Sequence, residues 1–178
     1  MKVLVFVKAT SKSEKGIMPN DQELARLLND MGKFNERLIA AGIMAEADGL
    51  QPSSAGKRIT FSDSGATSVI DGPFVETKEL VAGYWVWNVK SMDEAVSWAR
   101  QCPNPMPGEE GVLELRPTNS LADFEALLTD ESRGRFERMD KALKQKKAKA
   151  KPAKKAAPAR KKAKAKTKSK SKRAKSKK

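Results

Sequence analysis

Three carboxylates fall within nine residues, Asp71, Glu76 and Glu79, with Lys78 among them. Phe74 lies inside this stretch and Tyr84 follows it. A carboxyl group held against apolar Phe74 and Tyr84 would have a raised pKa and could donate or accept a proton. The same oxygens could instead hold a hard cation. Asp71, Gly72, Pro73, Phe74, Glu76, Lys78, Glu79 and Tyr84 are therefore the candidate ligand-binding set. A structural reading stands beside the chemical one. In it, Asp71 accepts backbone N–H groups of its own turn, Gly72 supplies unusual backbone angles and Pro73 stiffens the turn. Glu76, Lys78 and Glu79 are then a solvated face.

Histidine is absent from the chain. That removes the usual general base and the commonest metal ligand together. No nucleophile–base pair is visible, so no catalytic residue, metal ligand or cofactor is expected, and the chain reads as non-enzymatic. Cys102, the single cysteine, falls on an apolar helical stripe before Pro103, which is the setting of a buried, inert thiol. A lone cysteine also excludes an internal disulfide and points to a reducing compartment. Trp85 and Trp87 lie on one face of a strand, and Tyr84 on the other. Without basic flanks they read as core and interface rather than a base-stacking platform.

The C-terminal stretch points to a different chemistry. Residues 141–178 hold 20 Lys and Arg and no Asp or Glu, leaving 16 basic against 22 acidic residues, net −6, for residues 1–140. The cations of the last segment are Lys146, Lys147, Lys149, Lys151, Lys154, Lys155, Arg160, Lys161, Lys162, Lys164, Lys166, Lys168, Lys170, Lys172, Arg173, Lys175, Lys177 and Lys178. Alanine, proline and serine fill most of the gaps, with no large apolar side chain. Such a segment cannot bury enough surface to offset the entropy of ordering, so residues 146–178 are expected to be a disordered basic tail. Each lysine that neutralises a phosphate releases a counterion, so the partner expected is nucleic acid, bound without reading sequence. Few arginines argue against bidentate base reading. The tail lacks the apolar side of a membrane anchor, so no membrane partner is expected. No apolar run near the start reaches the length of a signal-peptide core or a membrane span. The expected location is cytoplasmic, on the nucleoid.

The elements that position these residues follow from periodicity. Residues 2–8 read as a strand with Val3, Val5 and Val7 on one face and Leu4 and Phe6 on the other. Asn20 caps a helix in which Leu24, Leu27, Leu28, Met31, Phe34, Leu38 and Ile39 recur at helical spacing, and Gly42 ends it. Strands are expected at Met44 to Leu50, Arg58 to Phe61, Ser68 to Ile70, Val81 to Val89 and Val112 to Arg116. Ser91 and Glu94 form a capping box for a helix ending near Pro103. Ser120 caps a short helix through Leu128, and a polar helix runs from Asp130 to about Gln145. Strand, helix, strands, helix, strand makes an α+β fold with helices on one sheet face, as in ferredoxin-like domains. Strands apolar on both faces need a second cover, which a homodimer would supply.

The run Asp71-Gly72-Pro73-Phe74-Val75-Glu76-Thr77-Lys78-Glu79 with Gly83-Tyr84 resembles the DGPF branch of the YCII-related family. Collinear matches support this: Gly49-Leu50-Gln51-Pro52, Asp93-Glu94-Ala95 with Trp98-Ala99, Cys102-Pro103 and Glu114-Leu115-Arg116-Pro117. Ala122-Asp123-Phe124 with Leu128-Thr129 is similar to that branch's C-terminal extension. The resemblance implies ferredoxin-like protomers paired into a dimeric α/β barrel. It also implies a link with transcription through sigma-factor-like regulators. Some relatives are thought to use a His–Asp pair, which a chain without histidine cannot have. The tail resembles those of linker histones. The expected organisation is a YCII-related domain over residues 1–117, a helical extension over 118–145 and the tail over 146–178. The favoured function is a nucleic-acid-tethered accessory protein. The alternative is a small-ligand sensor or enzyme around Asp71–Tyr84, the ligand unknown and the tail only localising it.

Overall fold

The computed structural model describes residues 1–75 and 79–150, with side chains through residue 146. Glu76, Lys78 and the tail side chains from Lys147 onward lie outside the described residues. Two compact units divide the chain, Met1–Asp123 and Phe124–Lys178. The elements of the first are β1 (Lys2–Lys8), α1 (Ser11–Glu14), α2 (Asp21–Ala40), β2 (Met44–Gly49), β3 (Lys57–Phe61), β4 (Thr67–Asp71), β5 (Val81–Asn88), α3 (Met92–Ala99) and β6 (Leu113–Pro117).

An antiparallel sheet of order β2-β5-β1-β6 carries the core. Its strands and helices alternate β-α-β-β-α-β along the chain, with β3 and β4 inserted as a separate two-stranded sheet. The fold is α+β, with an antiparallel sheet and helices, as the periodicity implies. Register sorts the side chains by face. Val5 lies opposite Trp85 and Leu115, whereas Phe6 lies opposite Tyr84 and Glu114. Val3, Val5, Val7, Trp85 and Trp87 are buried, and they pack with Phe34 and Leu38 of α2 and Ala95 of α3. Each fully buried aliphatic side chain contributes roughly 1.5–3 kcal/mol, so this face dominates stability. Phe34 meets Trp85 edge-on, ring centroids 6.4 Å apart, and Trp85 Nε1 donates to Asn35 Oδ1 at 3.0 Å. On the other face Leu4, Phe6, Tyr84 and Val86 are only half-buried.

The helix ends follow local chemistry. Asn20 accepts the Glu23 backbone N–H at 3.0 Å, as its type and place predict. Ser91 accepts the Glu94 N–H at 3.2 Å, but the Glu94 carboxylate returns to Lys90 N, one residue before the cap. Gly42, at φ +71°, lies just past α2 where a left-handed residue is needed. The apolar stripe of α2 is narrower than its composition suggests. Leu28 and Ile39 are exposed because each sits one residue, about 100° of rotation, beyond half-buried Leu27 or buried Leu38.

Three local expectations change. Residues 11–14 form α1, capped by Thr10, where no element is expected from periodicity. Ser120 does not cap an α-helix: its hydroxyl donates to Asp123 Oδ2 at 2.9 Å, and residues Leu121–Leu127 are a 3-10 turn. The final helix, α4, runs Asp130–Ala150, past the expected end at Gln145. Alanine and lysine are good helix formers, and Pro152 disfavours helix at the residue before it.

Candidate functional site

The Asp-Gly-Pro-Phe turn is built against another piece of backbone. Gly72 follows β4, and its N–H donates to the Gly56 carbonyl at 3.0 Å. A Cβ at Gly72 would lie 1.8 Å from the Ser53 carbonyl oxygen, so only glycine fits. Phe74 N–H donates to Ser53 Oγ at 3.1 Å, and Ser53 N–H in turn donates to Glu14 Oε2 at 3.0 Å. The Arg58 guanidinium stacks 4.2 Å above the Phe74 ring, a cation–π contact. The turn thus ties β4 to the Ser53–Ala55 turn and, through it, to α1.

The candidate residues separate into different surroundings. Gly72 and Phe74 share Ser53, with Pro73 between them in a cis Gly72–Pro73 peptide. Asp71 is exposed, and its carboxylate pairs with Lys57 across the hairpin at 2.5 Å rather than capping its own turn. A side chain at the end of a strand finds its cross-strand neighbour first. Glu79 is exposed, and its backbone carbonyl accepts Lys8 Nζ at 3.2 Å. Tyr84 lies on the half-buried sheet face and donates to Glu46 Oε1 at 2.8 Å. That bond holds the phenol above its usual range, with the Glu46 and Asp48 charges adding to the shift. Asp71 and Tyr84 therefore engage different partners on different sheets.

Trp85 and Trp87 are core residues, as their strand face predicts. Cys102 is half-buried, with its thiol donating to the Pro103 carbonyl at 3.3 Å. Burial pushes the thiol up to about 11, which leaves it a poor nucleophile at neutral pH. Among the described residues, no group of three carboxylate or thiol side chains is placed to hold a metal ion. Among them, no helix is long and apolar enough to cross a membrane.

A feature invisible to periodicity lies at the start of α2. A cavity of about 590 Å³ opens between α1, the first turns of α2, residues Leu50 and Pro52, and the 105–109 loop. Leu24, Leu27 and Met106 are among its apolar walls, and Thr10, Lys12, Glu23 and Glu109 are among its polar lining. Thr10 Oγ1 donates to Glu109 Oε2 at 2.6 Å and accepts the Ser13 N–H at 3.2 Å. Thr10 and Glu109 are 99 residues apart, so no local spacing could pair them. The Ser53–Glu14 bond and the Gly72 packing brace the segment that carries Leu50 and Pro52, so the turn supports one wall of this cavity.

The model of the YCII-related domain matches residues 1–119. An uncharacterized protein of Rhizobium meliloti (strain 1021) is 34% identical over 96 residues, covering 54% of this chain and 76% of that protein. The matched region holds the whole β-α-β-β-α-β sheet, the Asp-Gly-Pro-Phe turn and every residue lining the cavity. On these grounds the chain belongs to the YCII-related domain family.

Proposed function

We infer that this chain is a non-enzymatic YCII-related protein of the DGPF branch, held on nucleic acid by a linker-histone-like tail. The observation that carries this reading is the segregation of charge. Twenty cations and no anion occupy residues 141–178, while residues 1–140 are net −6. An acidic body repels phosphate, so attraction to nucleic acid must come from the basic end. The described part of α4 already presents Lys141, Lys144 and Lys146 to solvent, and Lys144 spends its charge on Asp140 at 2.6 Å. From Lys146 onward the cations have no acidic neighbour in sequence.

The body acts as a ferredoxin-like protomer of a homodimeric α/β barrel. The sheet order and the half-buried Leu4, Phe6, Tyr84 and Val86 on the face away from the core support this. Two tails on one dimer raise avidity, because the second binds intramolecularly. The role that fits is a cytoplasmic, nucleoid-associated accessory of transcription or chromosome organisation.

A salt titration with two unrelated DNA duplexes tests the reading. If roughly eight cations contact phosphates, the log–log salt slope is near −7. Full-length protein should bind both duplexes equally and release both as salt rises, while residues 1–140 bind neither. A strong preference for one duplex, or binding retained by residues 1–140, would overturn it.

A further inference from the structure

The cavity at the start of α2 holds a carboxylate that no cation among the described residues pairs with. Glu109 is half-buried, and Thr10 fixes its Oε2 at 2.6 Å. Thr10 is itself anchored by the Ser13 N–H, so the carboxylate cannot swing away freely. Among the described residues no lysine or arginine forms an ion pair with Glu109. Lys12, the cation on the same cavity, is exposed and stays out of pairing distance. The apolar surroundings are equally unfinished. Ile17, Met18 and Leu50 line the same opening while 54%, 65% and 49% exposed. Exposed apolar side chains gathered at one concavity mark a binding surface. A volume of about 590 Å³ with apolar walls and a few fixed polar groups has the character of a small-molecule site.

We propose that this cavity binds a small amphipathic amine, its apolar body between α2 and the 105–109 loop and its protonated nitrogen on Glu109. The free Oε1 of Glu109 accepts the ammonium N–H. Ligand entry strips water from a half-buried carboxylate, and only a cation compensates that loss. A neutral analogue leaves the charge unmatched, and an anionic one adds repulsion from Glu23 and Glu109, both on the lining. The apolar body covers Ile17 and Leu50, which supplies the affinity, while the charge supplies the selection. This site is independent of the tail and of its partner.

The probes are 2-phenylethylamine, its neutral counterpart 2-phenylethanol and the anion 3-phenylpropionate. Each is titrated into the full chain at neutral pH and followed by backbone amide NMR shifts. The amine should shift the amides of Thr10, Ile17, Leu27 and Gly108 saturably, at least about tenfold more tightly than the alcohol. The anion should leave them unmoved. Glu109→Gln keeps an oxygen for the Thr10 hydroxyl but loses the charge. It should weaken the amine about tenfold and leave the alcohol unchanged. Leu27→Trp, which fills the cavity, should abolish both. Absence of a saturable shift with the amine, equal binding of all three probes, or full amine affinity in a folded Glu109→Gln protein would each overturn the proposal.

Discussion

Single residues in this chain are constrained by what stands beside them more than by their own type. Gly72 and Gly32 make the contrast. A Cβ on Gly72 would meet the Ser53 carbonyl oxygen at 1.8 Å, whereas one on Gly32, inside α2, would meet nothing within 4 Å. Gly72→Ala should therefore destabilise by about 1–3 kcal/mol or more through forced backbone displacement. Gly32→Ala should stabilise by roughly 0.5–1 kcal/mol through helix propensity. Urea denaturation midpoints moving in the same direction for both would contradict this account of the turn. The two core tryptophans offer a second contrast. Trp87 is fully buried with its Nε1–H unpartnered, whereas Trp85 Nε1–H donates to Asn35. An orphaned buried donor costs about 1–3 kcal/mol, which substitution by phenylalanine removes. Trp85→Phe should thus be the more destabilising change, by about 1 kcal/mol, although Trp87 is the more deeply buried. Equal losses, read from thermal unfolding followed by circular dichroism, would mean that the Trp87 donor finds a partner in solution. Asp71 was legible as a turn residue by type, but its charge went to Lys57, a partner set by strand register and hidden from local spacing.

Elements were legible where one local rule governed them and obscure where tertiary packing did. The alternation in β1 and β5 sorts their side chains onto two faces directly, because a strand's period of two leaves little freedom, but the packing of α2 and α3 decides which face is the buried one. The Asn20 cap was equally plain, since a side chain that satisfies an orphan N–H works in any context. Asn20→Ala should cost about 1 kcal/mol, measured by denaturant titration, and a cost near zero would mean that water replaces the cap. The helix α1 leaves no mark in the sequence pattern because four residues carry no periodicity; its only signal is Thr10 followed by Ser13, a reciprocal cap in which serine stands where glutamate usually does. The strands of the β3–β4 hairpin match the runs Arg58 to Phe61 and Ser68 to Ile70, yet their exposure has no signature in the sequence. Phe61 is 77% exposed there, and nothing in β propensity distinguishes a packed strand from one that stands clear. The cavity shows the same limit more sharply. Its walls come from α1, α2, residues 50–52, Ala82 and the 105–109 loop, so it exists only once the topology does.

At the scale of the whole molecule, composition separated acidic body from basic tail with no structural input, because net charge sums over residues and ignores their arrangement. Assembly is the opposite case, since it depends on which face of the sheet is left over. β1 and β5 use one face for the core with α2 and α3. Leu4, Phe6, Tyr84 and Val86 then remain half-buried on the other, with Glu46 and Glu114 beside them. Two copies meeting through this face would bury all four side chains, and the acidic neighbours would sit at the rim. Phe6 is the residue to test, because it lies opposite Tyr84 and Glu114 and away from the core. Sedimentation of the full chain in high salt, which screens the tail, should give twice the 19.5 kDa chain mass. Phe6→Glu places a charge beside Glu114 and in the middle of the apolar face, so it should give the monomer mass while keeping native near-UV circular dichroism. Val5→Glu, one residue away and in the core, should instead unfold the domain. A wild-type chain that sediments as a monomer at micromolar concentration would remove the dimer. A Phe6→Glu protein that remains dimeric would move the interface to another surface, with the exposed β3–β4 hairpin next in line.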